Sequence, residues 1–364
     1  MNIPILDLKS QHASIAEELR SAIDRVLTSG IFCLGPEVEA FESAVSLWTE
    51  PARAVGLSNG TDALLVALLA LQIGAEDEVI IPPFTFFATA SAVIRAGAKP
   101  VFVDIDERTF NIDPDLIEAA ITPKTRAIIP VHLYGQCADM ERITPIARKH
   151  GLRIVEDAAQ ALGARRNGRR SGAFGDLACF SFYPTKNLGA LGEAGLISSS
   201  DATLLQRCRI LRNQGMEPRY EHHVVGGNYR MDAMQGAVLG VKLRHLNSWN
   251  ERRRHLAGIY NKALDGTAVQ TPYVEPGNEH IYHQYTIRTP RRDELAAHLQ
   301  KNGIASGVYY PIPLHQQAAI SHLTRTKQRY PVAERACREV LSLPIHPELT
   351  DEQVITVAAS IRAF

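Results

Sequence analysis

The sequence lacks most features that would tie it to a membrane, a nucleic acid or a covalent framework. Only five of its 364 residues are cysteine. Cys33, Cys137, Cys179, Cys208 and Cys337 are odd in number, widely spread and without a C-x-x-C pair. That spacing suits neither a zinc site nor a disulfide framework, so the thiols read as free in a reducing compartment. Net charge is +0, from 39 basic and 39 acidic residues. A nucleic-acid partner would call for a basic surface, and none is expected. The longest apolar run, Ala63 to Leu71, is too short to cross a bilayer. Met1 to Ser10 shows no basic segment followed by a long apolar one, so it does not read as a signal peptide. The expected location is the cytoplasm. The first strand–turn–helix carries neither G-x-G-x-x-G nor G-x-x-x-x-G-K-[ST], the fingerprints of dinucleotide and ATP sites. His222 and His223 have no third ligand at a suitable spacing, so no metal is expected.

What is present is an ordinary globular composition, 45% hydrophobic and 21% charged. The length allows one large domain and a smaller one. Apolar strands alternate with helical patterns through Leu196–Ser200: strands at 54–59, 78–83, 100–105, 125–132, 152–155 and 177–182, helices at 63–71, 84–96, 113–121 and 139–150. That alternation predicts a doubly wound α/β domain with a mostly parallel sheet. It follows a helix over 9–28 and another starting at Pro36. The arginine-rich turn Gly163–Gly172 reads as a solvated hairpin tip. The spacing from Met231 to Leu264 predicts one long helix or two. They lead into a smaller C-terminal α/β domain with strands at 282–288 and 306–310 and helices at 292–301 and 351–363. The expected domains are 1–240 and 241–364.

Two stretches carry chemistry. In Asp176–Gly195, a strand ends at Pro184, which has no N–H to continue a ladder. Lys186 follows in a turn of small residues (Gly189, Ala190, Gly192, Ala194, Gly195). A lysine held there loses solvation, its pKa falls, and its free amine can attack a carbonyl. Schiff-base chemistry with pyridoxal phosphate (PLP) needs such an amine; the alternative is a solvated turn lysine. In Gly151–Gly163, an apolar strand ends in Glu156-Asp157, followed by Gln160. A carboxylate at a strand's carboxyl end points into the ligand crevice. There it can face the pyridine nitrogen of PLP and keep it protonated.

The segment Val155–Gly195 resembles the nucleotide-sugar aminotransferases of the DegT/StrS-like group, fold-type I PLP enzymes. The resemblance runs from Pro4-Ile-Leu-Asp-Leu to Leu341–His346. It implies that Lys186 forms the Schiff base and shuttles the proton, that Asp157 pairs with the pyridinium, and that Gln160 bonds the ring hydroxyl. It implies a phosphate site at Gly60, Thr61 and Ser181, and Phe86 on the ring face. Asn228 would reach the phosphate of a neighbouring subunit, so a homodimer with shared sites is implied. Tyr183, Arg230, Tyr309, Tyr310 and His315 match positions that face the sugar, although each suits a structural role as well.

The chain departs from the commoner family pattern at Gly192-Glu-Ala-Gly195, where Ala194 fits if its φ is negative. Lysine at 186, where dehydratase relatives carry histidine, favours transamination. The resemblance implies glutamate as amino donor and a nucleotide-linked keto-sugar as acceptor. Pro4–Leu8 and Leu133–Met140 look most like enzymes acting at C3 of a 3-keto-hexose. The alternatives are a C4 keto-sugar, a keto-cyclitol, or a PLP-binding regulatory protein without turnover.

Overall fold

The computed structural model describes residues 2–50, 53–321 and 328–364. Seven strands form the central sheet: β1 (Arg53–Leu57), β2 (Glu78–Ile81), β3 (Lys99–Phe102), β4 (Thr125–Ile128), β5 (Arg153–Asp157), β6 (Leu177–Ser181) and β7 (Gly195–Ser199). Their order is β1-β7-β6-β5-β4-β2-β3. β7 runs antiparallel to both neighbours, and every other pair is parallel. Parallel strands covered on both faces read as continuous apolar runs; Val79–Ile81 and Leu177–Phe180 are buried throughout. Because β7 is reversed, its first residue meets the last residues of its neighbours. Gly195 pairs with Leu57 on one side and with Ser181 on the other. The carboxyl ends of β1, β5 and β6 therefore open toward one crevice.

The helix Gly60–Ala70 is buried along most of its length, from Ala63 to Leu68. Helices apolar on all sides belong inside a large core, and this one joins Val55, Ile81, Val155 and Ile197 in a single cluster. The helix Ala233–Leu243 contributes Leu239 and Leu243 to a second cluster with Phe182, Leu188 and Ala190.

A second unit is built on β8 (Tyr285–Arg288) and β9 (Val340–Leu343), an antiparallel pair. Its core gathers Leu256 and Tyr260 from the helix Leu246–Ala263, Leu295 and Leu299 from the helix Arg292–Lys301, and Val354 and Val357 from the helix Asp351–Arg362. Ile3 joins the same core. Its N–H donates to the Gly303 carbonyl at 2.9 Å, and its carbonyl accepts from Ala305 N–H at 2.9 Å.

Several elements differ from the sequence expectation. The first helix breaks at Ile15 (φ −124°, ψ 22°) into Leu8–Ser14 and Ala16–Ser29. Residues 306–310 form no strand. Gly307 exchanges only its two backbone bonds with Ser342, and Pro311 and Pro313 follow without N–H groups to extend a ladder. The partner of β8 is β9, preceded by the helix Pro331–Glu339; neither was expected. The segment 113–121 is a 3₁₀ turn followed by one helical turn. The arginine-rich segment is a hairpin, with Asn167 and Gly168 at positive φ as a tight turn demands. Yet Arg166 is not solvated. It is 6% exposed and meets Glu141, Glu275 (2.6 Å) and Asp139 (2.9 Å). Three carboxylates make its burial tolerable where an unpaired charge would be costly.

Arg253, 2% exposed, donates to the carbonyls of Tyr282 (3.1 Å) and Ile345 (2.7 Å). It thereby ties the helix Leu246–Ala263 to the approaches of β8 and to the segment after β9. Arg253→Met keeps the apolar stem but orphans those carbonyls. Each buried group left unpaired costs roughly 1–3 kcal/mol, so a lower urea midpoint is expected. An unchanged midpoint would show that the tie contributes nothing.

Candidate active site

Three chain segments converge where β1 and β6 end and β7 begins. Asn59 caps the helix Gly60–Ala70 by accepting the Asp62 N–H at 2.8 Å. Asp62 in turn accepts from Ser58 Oγ (2.7 Å) and Asn59 Nδ2 (2.8 Å). This network fixes the start of the helix, whose first-turn N–H groups at Gly60 and Thr61 form an anion site. Close packing demands the glycines: a Cβ on Gly60 would lie 2.7 Å from Ser181 Cβ, and one on Gly195 would lie 2.3 Å from the Asn59 carbonyl. Ser181 thus stands against Gly60, beside the free first-turn N–H groups. Ala194 fits without strain, since its φ is not positive.

At the end of β5, Asp157 is 5% exposed. Thr89 Oγ1 donates to its Oδ2 at 2.8 Å, and Ala159 N–H reaches Oδ1 at 3.3 Å. Burial pushes the Asp157 carboxyl above its ordinary value, opposed by the Thr89 bond, the Ala159 N–H and the nearby Lys186 charge. A carboxylate in that position is stabilised by a cation, and a protonated pyridine nitrogen is one. Gln160 is held at both ends of its amide. Its Oε1 accepts Tyr134 N–H at 2.7 Å, and its Nε2 donates to Tyr310 Oη at 3.1 Å. Tyr134 also donates its hydroxyl to the Tyr309 carbonyl. The Phe86 ring is 58% exposed, 6.1 Å from the Tyr310 ring. An aromatic face left open beside Tyr310 suits a flat ligand ring.

Lys186 sits in a turn closed by its own backbone. Its N–H donates to the Tyr183 carbonyl at 2.8 Å, and Ala190 N–H donates to Phe182 at 2.8 Å. Gly189 is required, because a Cβ there would lie 2.2 Å from the Pro184 carbonyl. Gln160, Ser181 and Lys186 line one crevice. Burial lowers the Lys186 amine to about 8, partly offset by Asp157. An amine that loses its proton near pH 8, well below an ordinary lysine, a buried carboxylate and a cradled anion corner fit PLP.

Of the other expected residues, Tyr183 lies in the Lys186 turn and the Asn228–Arg230 segment flanks the end of β1, whereas His315 lies apart. Asn228 is exposed, on a segment whose neighbour Tyr229 is stitched to the end of β1 by Ser58 N–H at 2.9 Å. Arg230 pairs through Nη1 with Asn213 Oδ1 at 2.9 Å. Tyr183 is 48% exposed. His315 is buried, with its ring against Phe102 and Tyr330 and its Nε2 3.4 Å from Glu334. It is in contact with that cluster rather than with the groups around Asp157.

Sequence reasoning missed Thr89, Tyr134 and His283. Thr85, in the bend before the helix Ala88–Arg95, touches Thr89 of that helix through their hydroxyls at 3.2 Å. His283 Nδ1 lies 3.2 Å from Asn187 Oδ1, and Asn187 Nδ2 donates to Asn250 at 2.7 Å. Burial and then the Lys186 charge hold His283 well below its ordinary value, so it stands neutral behind the lysine.

The amine of Lys186 is the reactive form, so carbonyl capture should weaken as pH falls through about 8. Borohydride trapping of PLP on the cofactor-free chain, followed by peptide mass, reads the midpoint directly. A midpoint near the ordinary lysine value would show that burial does not tune this group.

The sequence model of the DegT/DnrJ/EryC1/StrS aminotransferase family matches residues 13–362. A protein of Geobacillus stearothermophilus named pleiotropic regulatory protein is 50% identical, the match covering 100% of this chain and 99% of that one. A UDP-N-acetyl-3-dehydro-alpha-D-glucosamine 3-aminotransferase of Acidithiobacillus ferrooxidans is 48% identical, over 99% of this chain and 97% of that one. The crystal structure of Streptomyces venezuelae DesV in complex with a ketimine intermediate superposes with a TM-score of 0.97 at 46% identity, over 100% of this chain and 98% of that one. The family match spans both the central sheet and the second unit, and the chain belongs to the DegT/DnrJ/EryC1/StrS aminotransferase family.

Proposed function

We propose that this aminotransferase uses PLP to move an amino group from glutamate to C3 of a nucleotide-linked 3-keto-hexose. The observation that carries the reading is the lowered Lys186 amine facing the buried Asp157 carboxylate, with Gln160 and the Gly60–Ser181 corner beside them. PLP, when bound, supplies an electron sink for carbanion chemistry. The chain's own groups do the rest. Asp157 holds positive charge at the ring nitrogen, and Gln160 orients the ring through its hydroxyl. Gly60, Thr61 and Ser181 hold the phosphate. Lys186 Nζ takes and returns the proton at the reacting carbon.

C3 is favoured over C4 and over a cyclitol by the likeness to the Acidithiobacillus enzyme, whose name states a 3-dehydro sugar. A second reading, regulation without turnover, draws on the name of the Geobacillus relative. Glutamate incubated with nucleotide-linked 3-keto and 4-keto hexoses and with a keto-cyclitol, read by product mass, separates these readings. Amination of the 3-keto sugar alone is expected, and Lys186→Ala should abolish it. Product from the 4-keto sugar alone would move the assignment to C4. No product from any keto acceptor would leave the regulatory reading.

The exposed Asn228 supports a homodimer in which each chain completes its neighbour's phosphate site. Lys186→Ala and Asn228→Ala protomers, mixed and exchanged, should then regain activity. One site of each heterodimer has Lys186 together with an intact partner Asn228. One neutral hydrogen bond is worth about 0.5–1.5 kcal/mol, so the Asn228 defect alone is modest and the gain is scored against both unmixed variants. Exchange shown by mass without any gain would mean a site built from a single chain.

A further inference from the structure

Among the described residues, Lys242 is the most deeply buried lysine that the proposed chemistry does not use. It is 0% exposed, in the last turn of the helix Ala233–Leu243. Burying an ammonium costs several kcal/mol unless donors and acceptors match. A methionine of similar length would fill the space at less cost, so the charge calls for an explanation. Its Nζ donates to the Gly189 carbonyl at 2.6 Å and lies 3.0 Å from His12 Nε2. With Nε2 accepting from the ammonium, His12 carries its proton on Nδ1.

Gly189 belongs to the Lys186 turn, and a second side chain of the same helix grips the same turn. Gln235 Oε1 accepts the Leu191 N–H at 2.9 Å. Positions 235 and 242 are two helical turns apart, so both side chains leave one face. Between them the turn is packed rather than merely bonded, since Leu188 and Ala190 are buried with Leu239 of this helix.

We infer that Lys242 and Gln235 are positioning residues, a two-point clamp by which the helix Ala233–Leu243 holds the Lys186 turn in its buried, reactive geometry. The clamp rests on the reading of Lys186 as the PLP-binding lysine. The helix begins just after Asn228, the residue proposed to reach a neighbouring subunit. The same rigid element therefore joins the intersubunit segment to the reactive lysine. The titratable groups facing the clamp are His12 from the helix Leu8–Ser14 and Glu348 from the loop after β9; those facing Lys186 are Asp157 and His283.

The test uses cofactor-free full-length chain. PLP is added across a pH series, the adduct is reduced with borohydride, and its yield at Lys186 is timed by peptide mass. Wild type sets the reference. Lys242→Met and Gln235→Leu let the turn open, so Lys186 regains solvent and its midpoint rises toward that of an ordinary lysine. A midpoint one pH unit higher slows capture about tenfold at neutral pH. Lys242→Arg, which keeps the charge and a donor, should restore part of the loss. A purely structural role would lower the melting temperature and leave the midpoint in place. Variants that capture PLP with the wild-type midpoint overturn the clamp, whatever their melting temperature. If Lys242→Met yields no folded protein, Gln235→Leu, at a half-exposed position, decides by the same criterion. Absence of capture at Lys186 in wild type would instead overturn the functional reading itself.

Discussion

The structure turns on keeping two opposite charges partly dry and near each other without letting them neutralise the chemistry. Asp157 is raised by burial and Lys186 is lowered by it, while each pulls the other back toward its charged form. Desolvation comes first among the causes for both groups, so the low-dielectric setting dominates their pairing. That setting requires walls on all sides. The reversed strand β7 supplies one, because Gly195 can approach the Asn59–Gly60 peptide only without a side chain. The Lys186 turn supplies another, because Gly189 lets it fold onto Pro184.

Around this centre, neutral groups are held by more than one partner. Gln160 is bonded at both ends, Tyr134 joins it to the Tyr309–Tyr310 segment, and Asn187 touches both Asn250 and His283. Next to Asp157, Glu156 is fully buried as well. It accepts from Gly172, Phe174 and Gly175 N–H groups and faces His132 at 2.8 Å. These bonds hold its carboxyl below the ordinary range against the pull of burial. Adjacent carboxylates on one strand thus differ, Glu156 held ionised by backbone N–H groups and His132, and Asp157 pushed up by burial.

The central sheet was legible because parallel, doubly covered strands leave continuous apolar runs, and the strand-end positions of Asp157 and Lys186 followed from those runs. The ends of elements were less legible. Gly60 and Thr61 read as a turn, whereas the helix already begins at Gly60 under the Asn59 cap. β9 was missed because half of what makes Val340–Leu343 a strand is its partner Tyr285–Arg288, more than fifty residues earlier. Arg166 shows the limit most plainly. Four arginines around a turn look like a wet surface, and only the fold brings Asp139, Glu141 and Glu275 to one of them. Thr89 escaped notice for the same reason, since its partner lies sixty-eight positions away.

Ile3 carries one further consequence, for the order of events during synthesis. Its backbone closes onto Gly303 and Ala305, and its side chain fills a core assembled from residues 256–361. Translation proceeds from the amino end, so Ile3 leaves the ribosome long before any of its partners exist. The strands of the central sheet are all made by Ser199, although its main core also takes Leu314, Ala333 and Cys337 from much later in the chain. Ile3 must wait until residues 256–361 have been made before its core exists.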